Sequence, residues 1–266
     1  MPEGDVIHRT AARLEAGLAG TRIVEAASPN PRAGIGAVAR RFVGDQVHFV
    51  EARGKHLLIH FGGGDVVHNH LGMKGRWRVE DREGPHSGAA SGRSQDRGSK
   101  WIPWLVLETS EAVAVQTGGS RMRILSEASV RRDPQLARLG PDVLKAGFDP
   151  GRGVRALRGA RPEEQIGVAL LNQALLSGIG NIFRCEGCFG AGVSPWRRLA
   201  ELSDAELTAI VSEITELMWA SLSGDRPDRR VYRRSGRPCP RCGTAVSSRP
   251  QGDAARTTYW CSGCQS

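Results

Sequence analysis

Cys239-Pro240-Arg241-Cys242 and Cys261-Ser262-Gly263-Cys264 close the sequence, two C-x-x-C pairs separated by 18 residues. That spacing falls in the range of four-thiolate zinc sites and predicts one structural zinc ion held by Cys239, Cys242, Cys261 and Cys264. Each pair should form a knuckle at the base of a hairpin, and the text between them alternates as a two-stranded ribbon does, turning near Pro250 to Asp253. Four protein ligands fill a tetrahedral metal, which leaves no position for catalysis. The ribbon carries Arg249 near its tip and Arg256 on the returning strand, and since so short a ribbon has little core, the metal would hold Arg256 in place.

Just upstream, Arg229, Arg230, Arg233, Arg234, Arg237 and Arg241 crowd one short stretch. Across the 266 residues, 37 Lys and Arg stand against 28 Asp and Glu, a formal charge of +9. Such a balance favours a polyanion, bound through release of its counterions. No run of about 18 apolar residues is present to span a bilayer, and the start is not a basic region followed by an apolar one, so no membrane partner and a cytoplasmic location are expected. The remaining cysteines, Cys185 and Cys188, lie three apart on an expected helix and read as small core thiols.

Working further back, Ser203 and Glu206 form a capping box for a helix carrying Leu207, Ile210, Val211, Ile214, Leu217 and Met218, with Gly224 to end it. The apolar text from Glu163 to Leu176 predicts another helix, interrupted by Ser177-Gly178-Ile179-Gly180-Asn181 before a further helix from about Ile182. Amides at that last helix start point outward and suit a phosphate. Arg138, just before the connector Leu139 to Leu144, is a candidate phosphate contact.

From Thr21 to about Ile124 the pattern changes to short β-branched and apolar segments divided by Gly, Pro and Asp: Gln46 to Val50, His56 to Phe61, Asp65 to His68, Trp104 to Glu108 and Ala112 to Gln116. These predict an antiparallel sandwich or barrel. Arg82 to Lys100 has the composition of a mobile loop. In Arg53-Gly54-Lys55-His56 a glycine lets Lys55 leave a strand end toward a phosphate or a reacting sugar, although a solvated lysine is the commoner fate. In His68-Asn69-His70-Leu71-Gly72-Met73-Lys74-Gly75, Leu71 or Met73 is either a wedge that enters a base stack or a core residue under a hairpin. No third ligand lies near His68 and His70, so hydrogen bonding rather than metal is expected of them.

The sequence opens Met1-Pro2-Glu3-Gly4-Asp5, where Asp5 is placed to cap a helix with Ile7, Ala11, Leu14 and Leu18 on one face and Gly20 at its end. With Met1 removed, Pro2 would be a secondary amine beside the Glu3 carboxylate. An α-amino group titrates near ~7.7 to 8.0 against ~10.4 for lysine, so it can attack an electrophilic carbon without special activation.

Taken together, Pro2-Glu3-Gly4, Arg53-Gly54-Lys55, Leu170-Leu171-Asn172-Gln173, Gly178-Ile179-Gly180-Asn181 and a terminal ribbon with Arg256-Thr257-Thr258-Tyr259-Trp260-Cys261 resemble, in order, the formamidopyrimidine-DNA glycosylase and endonuclease VIII family of base-excision repair enzymes. The resemblance implies an α+β fold: an N-terminal antiparallel β-sandwich flanked by helices over residues 1–130, a helix-two-turn-helix domain over 131–228 and a zinc ribbon over 229–266, with damaged double-stranded DNA in the cleft between them. It implies that Pro2 is the Schiff-base nucleophile, Glu3 the proton donor to the sugar, Lys55 the basic residue of β-elimination and Arg256 the ribbon arginine of δ-elimination. His70, Arg138 and Asn181 match DNA-contacting positions, and the wedge falls at Leu71 or Met73. The expected activity is a monomeric DNA glycosylase and AP lyase. Gln116 to Leu125 lacks the Arg-x-Phe of the formamidopyrimidine branch, which together with Asn69 and Trp260 leans toward oxidised pyrimidines. The competing readings are a damaged-DNA binder without chemistry and a lyase confined to abasic sites.

Overall fold

The computed structural model describes residues 2–82, 102–118, 121–225 and 228–266. The expected loop therefore lies, apart from Arg82, outside the described residues. The chain divides into two compact units, one of residues 1–2 and 6–137, the other of residues 3–5 and 138–266.

Among the described residues, the first unit is built on eight strands and on helix α1 (Gly4–Leu18), which belongs to it from Val6 onward. Strands β1 (Glu25–Ala27), β5 (Arg76–Asp81), β6 (Pro103–Glu108) and β7 (Ala112–Thr117) form one antiparallel sheet in the order β1-β6-β7-β5. Strands β2 (Val47–Arg53), β3 (His56–Phe61), β4 (Asp65–His70) and β8 (Arg121–Ser126) form the other in the order β2-β3-β4-β8. A single core joins the two sheets. Ile7, Ala11, Leu14 and Leu18, spaced to face one side of α1, meet Leu57 and Ile59 of β3, Val67 of β4 and Leu105 and Leu107 of β6. The outcome is a sandwich rather than a barrel. Three short helices, α2 (Gly36–Ala39), α3 (Glu127–Arg132) and α4 (Pro134–Ala137), belong with this unit, so it extends a few residues beyond the expected limit at 130.

The second unit contains α5 (Pro150–Arg158), α6 (Ile166–Ala169), α7 (Asn181–Gly190), α8 (Asp204–Leu222) and the ribbon strands β9 (Ser247–Gln251) and β10 (Arg256–Trp260). Helix α8 starts on the expected capping box, with Ser203 Oγ accepting from Glu206 N and Glu206 Oε2 accepting from Ser203 N. Its buried residues Leu207, Ile210, Val211, Ile214 and Met218 pack with Val154 and Leu157 of α5 and with Ile166, Leu170 and Phe183.

Three local expectations need correction. The text from 163 to 176 yields only the four residues of α6, because side-chain amides take over the backbone partners. Asn172 Oδ1 accepts from Ala174 N, while Gln173 donates to Leu171 O and Ile179 O and accepts from Gly178 N. These bonds make turns where apolar periodicity alone predicts helix. Asp5 is not a cap: α1 begins at Gly4, and the Asp5 carboxylate accepts from Ser221 Oγ at 2.6 Å. The ribbon turns at 252–255, after Gln251 pairs with Arg256, so Arg249 is not at the tip. Arg249 lies within β9 with its guanidinium 3.9 Å over the Trp196 ring.

Candidate active site and metal centre

Glu3 is only 3% exposed, which a lone carboxylate would not tolerate. Its charge is met at the start of α7, where Ile182 N donates to Oε1 at 2.9 Å and Phe183 N to Oε2 at 3.4 Å. These amides have no partner inside the helix, and the positive end of the helix favours an anion. The two glycines of the Gly178-Ile179-Gly180 turn make the approach possible. Gly178 takes a φ of +92° and accepts from Gly4 N at 2.9 Å. A Cβ on Gly180 would lie 2.1 Å from Glu3 Cδ. The helix start expected to suit a phosphate therefore holds a carboxylate of the chain itself.

Asn181, the next residue, is half-buried and fixed from two sides. Its Nδ2 donates to Thr257 O at 2.8 Å, and its Oδ1 accepts from Arg184. Arg184, fully buried, also donates to Gly167 O and Gln251 Oε1, each at 3.1 Å, and Thr258 Oγ1 donates to the same Gln251 oxygen at 2.8 Å. Both ribbon strands are thus tied to α7, and Arg256 stands exposed at the start of β10. Cysteines 239, 242, 261 and 264 bring their sulfurs within 4.8 Å of one another, with Cys239 to Cys264 at 3.8 Å and Cys242 to Cys261 at 3.5 Å. Thiolates at ~2.3 Å from a tetrahedral zinc would be separated by ~3.8 Å, so the four fit one metal ion of that kind. Cys185 and Cys188 stay apart from it as buried thiols, and burial pushes Cys188 up to about 12.

Part of the basic stretch is spent internally. Glu186, buried on α7, accepts from the backbone amides of Arg230, Val231 and Tyr232, and the Arg230 side chain pairs with Glu186 and Glu213. Arg241 donates to the carbonyls of Phe189 and Gly190.

In the first unit Lys55 sits at the tip of the β2-β3 hairpin, which turns on Gly54 at φ +58°. Beyond β4 the chain folds back through Gly75 N to Leu71 O at 2.8 Å, turning Leu71 inward and Met73 outward. Leu71 is 1% exposed and part of the core, whereas Met73 is 72% exposed. Of the two alternatives, Leu71 is the core residue under a hairpin, and Met73 is the exposed member of the pair. Asn69 is also committed: it is fully buried, donates to Arg121 O and accepts from Trp77 Nε1. His68 hydrogen-bonds His56 and Arg123, and among the described residues no histidine belongs to a group that could hold a metal. His70 is half-buried, and Arg138 is exposed at the start of the second unit.

Residues 1–100 match the formamidopyrimidine-DNA glycosylase N-terminal domain, and residues 139–229 match the formamidopyrimidine-DNA glycosylase H2TH domain. The chain belongs to the formamidopyrimidine-DNA glycosylase family. Its relatives include a probable endonuclease 8 2 of Streptomyces coelicolor, 37% identical over all of this chain and 94% of that protein. An endonuclease 8 of Klebsiella pneumoniae is 31% identical over the whole of both, and a DNA-(apurinic or apyrimidinic site) lyase Nei2 of Mycolicibacterium smegmatis is 32% identical over all of this chain and 99% of that one. In fold the chain resembles MutM in complex with DNA containing carbocyclic 8-oxo-G, with a TM-score of 0.80 and 22% identity over all of both chains. It also resembles Lactococcus lactis Fpg in complex with DNA containing an abasic site, with a TM-score of 0.79 and 21% identity over 99% of each.

The glycosylase-family architecture of sandwich, H2TH helices and four-cysteine ribbon is thus present. Sequence reasoning missed Arg184, Glu186 and the amides of Ile182 and Phe183, which hold the motif residues. A charged residue inside apolar helix text, as at Arg184 and Glu186, is the signal that would have pointed to them.

Proposed function

We propose that this chain is a bifunctional DNA glycosylase and AP lyase of base-excision repair, acting on damaged double-stranded DNA as a cytoplasmic, nucleoid-bound monomer. The observation that carries this reading is the Glu3 carboxylate, buried against two α7 amides in the residue next to Pro2. With Met1 removed, the Pro2 nitrogen attacks C1′ of the damaged nucleoside and the base departs with the bonding pair. The Glu3 carboxylate takes the proton that the amine loses and returns it to the sugar oxygen as the ring opens. The resulting iminium acidifies the C2′ proton, and its loss expels the 3′ phosphate. Lys55 serves this β-elimination and Arg256 the following δ-elimination.

His70, Arg138 and Asn181 contact the DNA, and Met73 fills the space left by the extruded base. The four thiolates hold a structural zinc that keeps the ribbon folded. The proposed roles fall to three domains, residues 1–130, 131–228 and 229–266, with α3 and α4 grouped with the first. Oxidised pyrimidines are the proposed substrates, a reading supported by endonuclease 8 names among the full-length relatives and by the missing Arg-x-Phe. Asn69 and Trp260 no longer support it, because Asn69 is engaged within the sandwich and Trp260 packs on Trp196.

The test is borohydride trapping of Met1-processed protein on two duplexes, one carrying an oxidised pyrimidine and one an abasic site. A covalent species with both is expected. Trapping on the abasic duplex alone would favour the second reading, a lyase without base removal, which the similarity to the Mycolicibacterium lyase supports. No covalent species with either would leave only a DNA binder.

A further inference from the structure

Three histidines meet where β3 and β4 run side by side, and only His70 has a part in the chemistry above. Arg123 Nη2 lies 2.7 Å from Asp133 Oδ2 and 2.8 Å from His68 Nδ1. A guanidinium nitrogen only donates, so one of its protons goes to the carboxylate and the other to His68 Nδ1. His68 must then carry its own proton on Nε2, which lies 2.8 Å from His56 Nδ1. His56 Nδ1 accepts in turn, and its one proton is on Nε2. His70 packs edge-on to His56, ring centres 5.4 Å apart, and its Nδ1 accepts from Gly72 N at 3.2 Å, which puts its proton on Nε2 as well. The hydrogen bonds run one way, from Arg123 to His56. Neither His68 nor His56 can take a second proton without setting a donor against a donor.

We propose that Arg123, His68 and His56 are positioning residues: the chain fixes the His56 ring, and the edge-on contact of that ring holds His70, whose tautomer the Gly72 amide sets, as a neutral Nε2–H donor to a DNA phosphate beside Lys55. This rests on the reading of His70 as a DNA contact. The charged groups facing the cluster are Lys55 of the β2-β3 turn, Arg121 and Arg123 of β8, and Asp133 ahead of α4. Burial first holds His56 down to about 4 and His68 to about 3, and burial followed by Lys55 and Arg121 lowers His70. A contact that stays neutral does not change across the pH range in which the Pro2 amine gains its nucleophilic form. Nor does it add a second cation against Lys55.

Long-range proton–nitrogen imidazole spectra of the full-length protein from pH 5.5 to 8.5 test the arrangement without DNA. The Nε2–H tautomer is expected at His56, His68 and His70, without titration at His56 and His68. An Nδ1–H tautomer at His56 or His68, or a midpoint between pH 6 and 7.5 at either, overturns the proposal. Binding of a duplex with a tetrahydrofuran abasic analogue supplies the functional readout. His68→Leu should bind about tenfold more weakly than wild type at pH 8 and recover at pH 6, as a released His70 gains a proton. His68→Gln, whose amide can accept from Arg123 and donate to His56, should restore most of the affinity. Unchanged affinity and pH profile in His68→Leu would overturn the positioning role. His70→Ala separates the two ideas: wild-type binding there sinks the DNA contact itself, while the spectra still judge the hydrogen-bond chain.

Discussion

Gly180 is where the smallest change reaches the Glu3 carboxylate. Its φ of −121° and ψ of −169° are open to any residue, so alanine there is not strained by its backbone. The conflict is steric, because the new Cβ would lie 2.1 Å from Glu3 Cδ and 2.4 Å from its Cγ and Oε1. The carboxylate would have to leave the amides of Ile182 and Phe183. Gly180→Ala is expected to slow covalent trapping by about 100-fold, the scale of a lost acid–base group, and to cost about 1 to 3 kcal/mol of stability through the abandoned amides. Trapping kinetics and urea unfolding check the two parts. Wild-type trapping in this variant would show that the held carboxylate is not used in the chemistry. At this scale the sequence was uneven as a guide. Glu3 could be picked out through its motif, but the amides that hold it are backbone and leave no trace in residue type. Leu71 and Met73 are both apolar and both in a Gly-rich turn, so only the closure of Gly75 on Leu71 separates core from surface.

At the scale of elements, strands β2, β3, β4, β6 and β7, α1, α8 and the four-cysteine ribbon could be read from spacing, since each has an apolar or ligand period of its own, whereas β1, β5 and β8 were not picked out. The turn text between α6 and α7 could not, because Asn172 and Gln173 replace helical bonds with side-chain ones that periodicity does not register. Ribbon and helices also proved interdependent, since Asn181 and Arg184 on α7 bond Thr257 and Gln251. Zinc removal should therefore reach beyond the ribbon. Metal analysis is expected to find about one zinc per chain. Stripping it with a chelator should abolish binding of the lesion duplex and shift the Asn181 side-chain amide signals, while binding that survived with the metal gone would separate the ribbon from the DNA site. On β3 and β4 the buried histidines give a pH dependence whose sign is fixed. Above about pH 6.5 His56 and His68 are neutral whether folded or not. As pH falls, the unfolded chain takes up protons that the folded chain refuses until about 4 at His56 and about 3 at His68, so stability declines across that window. His60, raised by its Glu51 and Glu127 partners against the burial that lowers it, acts oppositely: its contribution is present below pH 6.5 and lost above. The expected loss is up to about 1.4 kcal/mol per pH unit for each of His56 and His68. Urea midpoints at pH 5 and 7 measure it, and His68→Gln should remove about half. A variant as steep as wild type would show that His68 titrates normally when folded.

For the molecule as a whole, the formal charge of +9 predicts DNA affinity that falls steeply with salt, and the internal pairings say which arginines should not set the slope. Arg230 and Arg241 are engaged within the second unit, by Glu186 and Glu213 and by the Phe189 and Gly190 carbonyls, so net charge overstates the number of cations open to phosphate. Each phosphate neutralised by a cation contributes about 0.9 to the slope of log K against log salt, whereas neutral donors and apolar side chains contribute none. Lys55→Ala, Arg138→Ala and Arg256→Ala should therefore each lower the slope by about one while weakening binding at every salt concentration. Asn181→Ala and Met73→Ala should weaken binding with no change in slope, the first by losing a neutral donor that also ties the ribbon to α7 and the second by losing the side chain proposed to fill the base stack. Arg230→Ala should leave the slope where it is and lower stability instead, because it strips Glu186 and Glu213 of a partner inside the protein. Anisotropy titrations of an abasic-analogue duplex between 50 and 200 mM salt distinguish these classes. A slope lost in Arg230→Ala and kept in Arg256→Ala would reverse the division between structural and DNA-facing arginines.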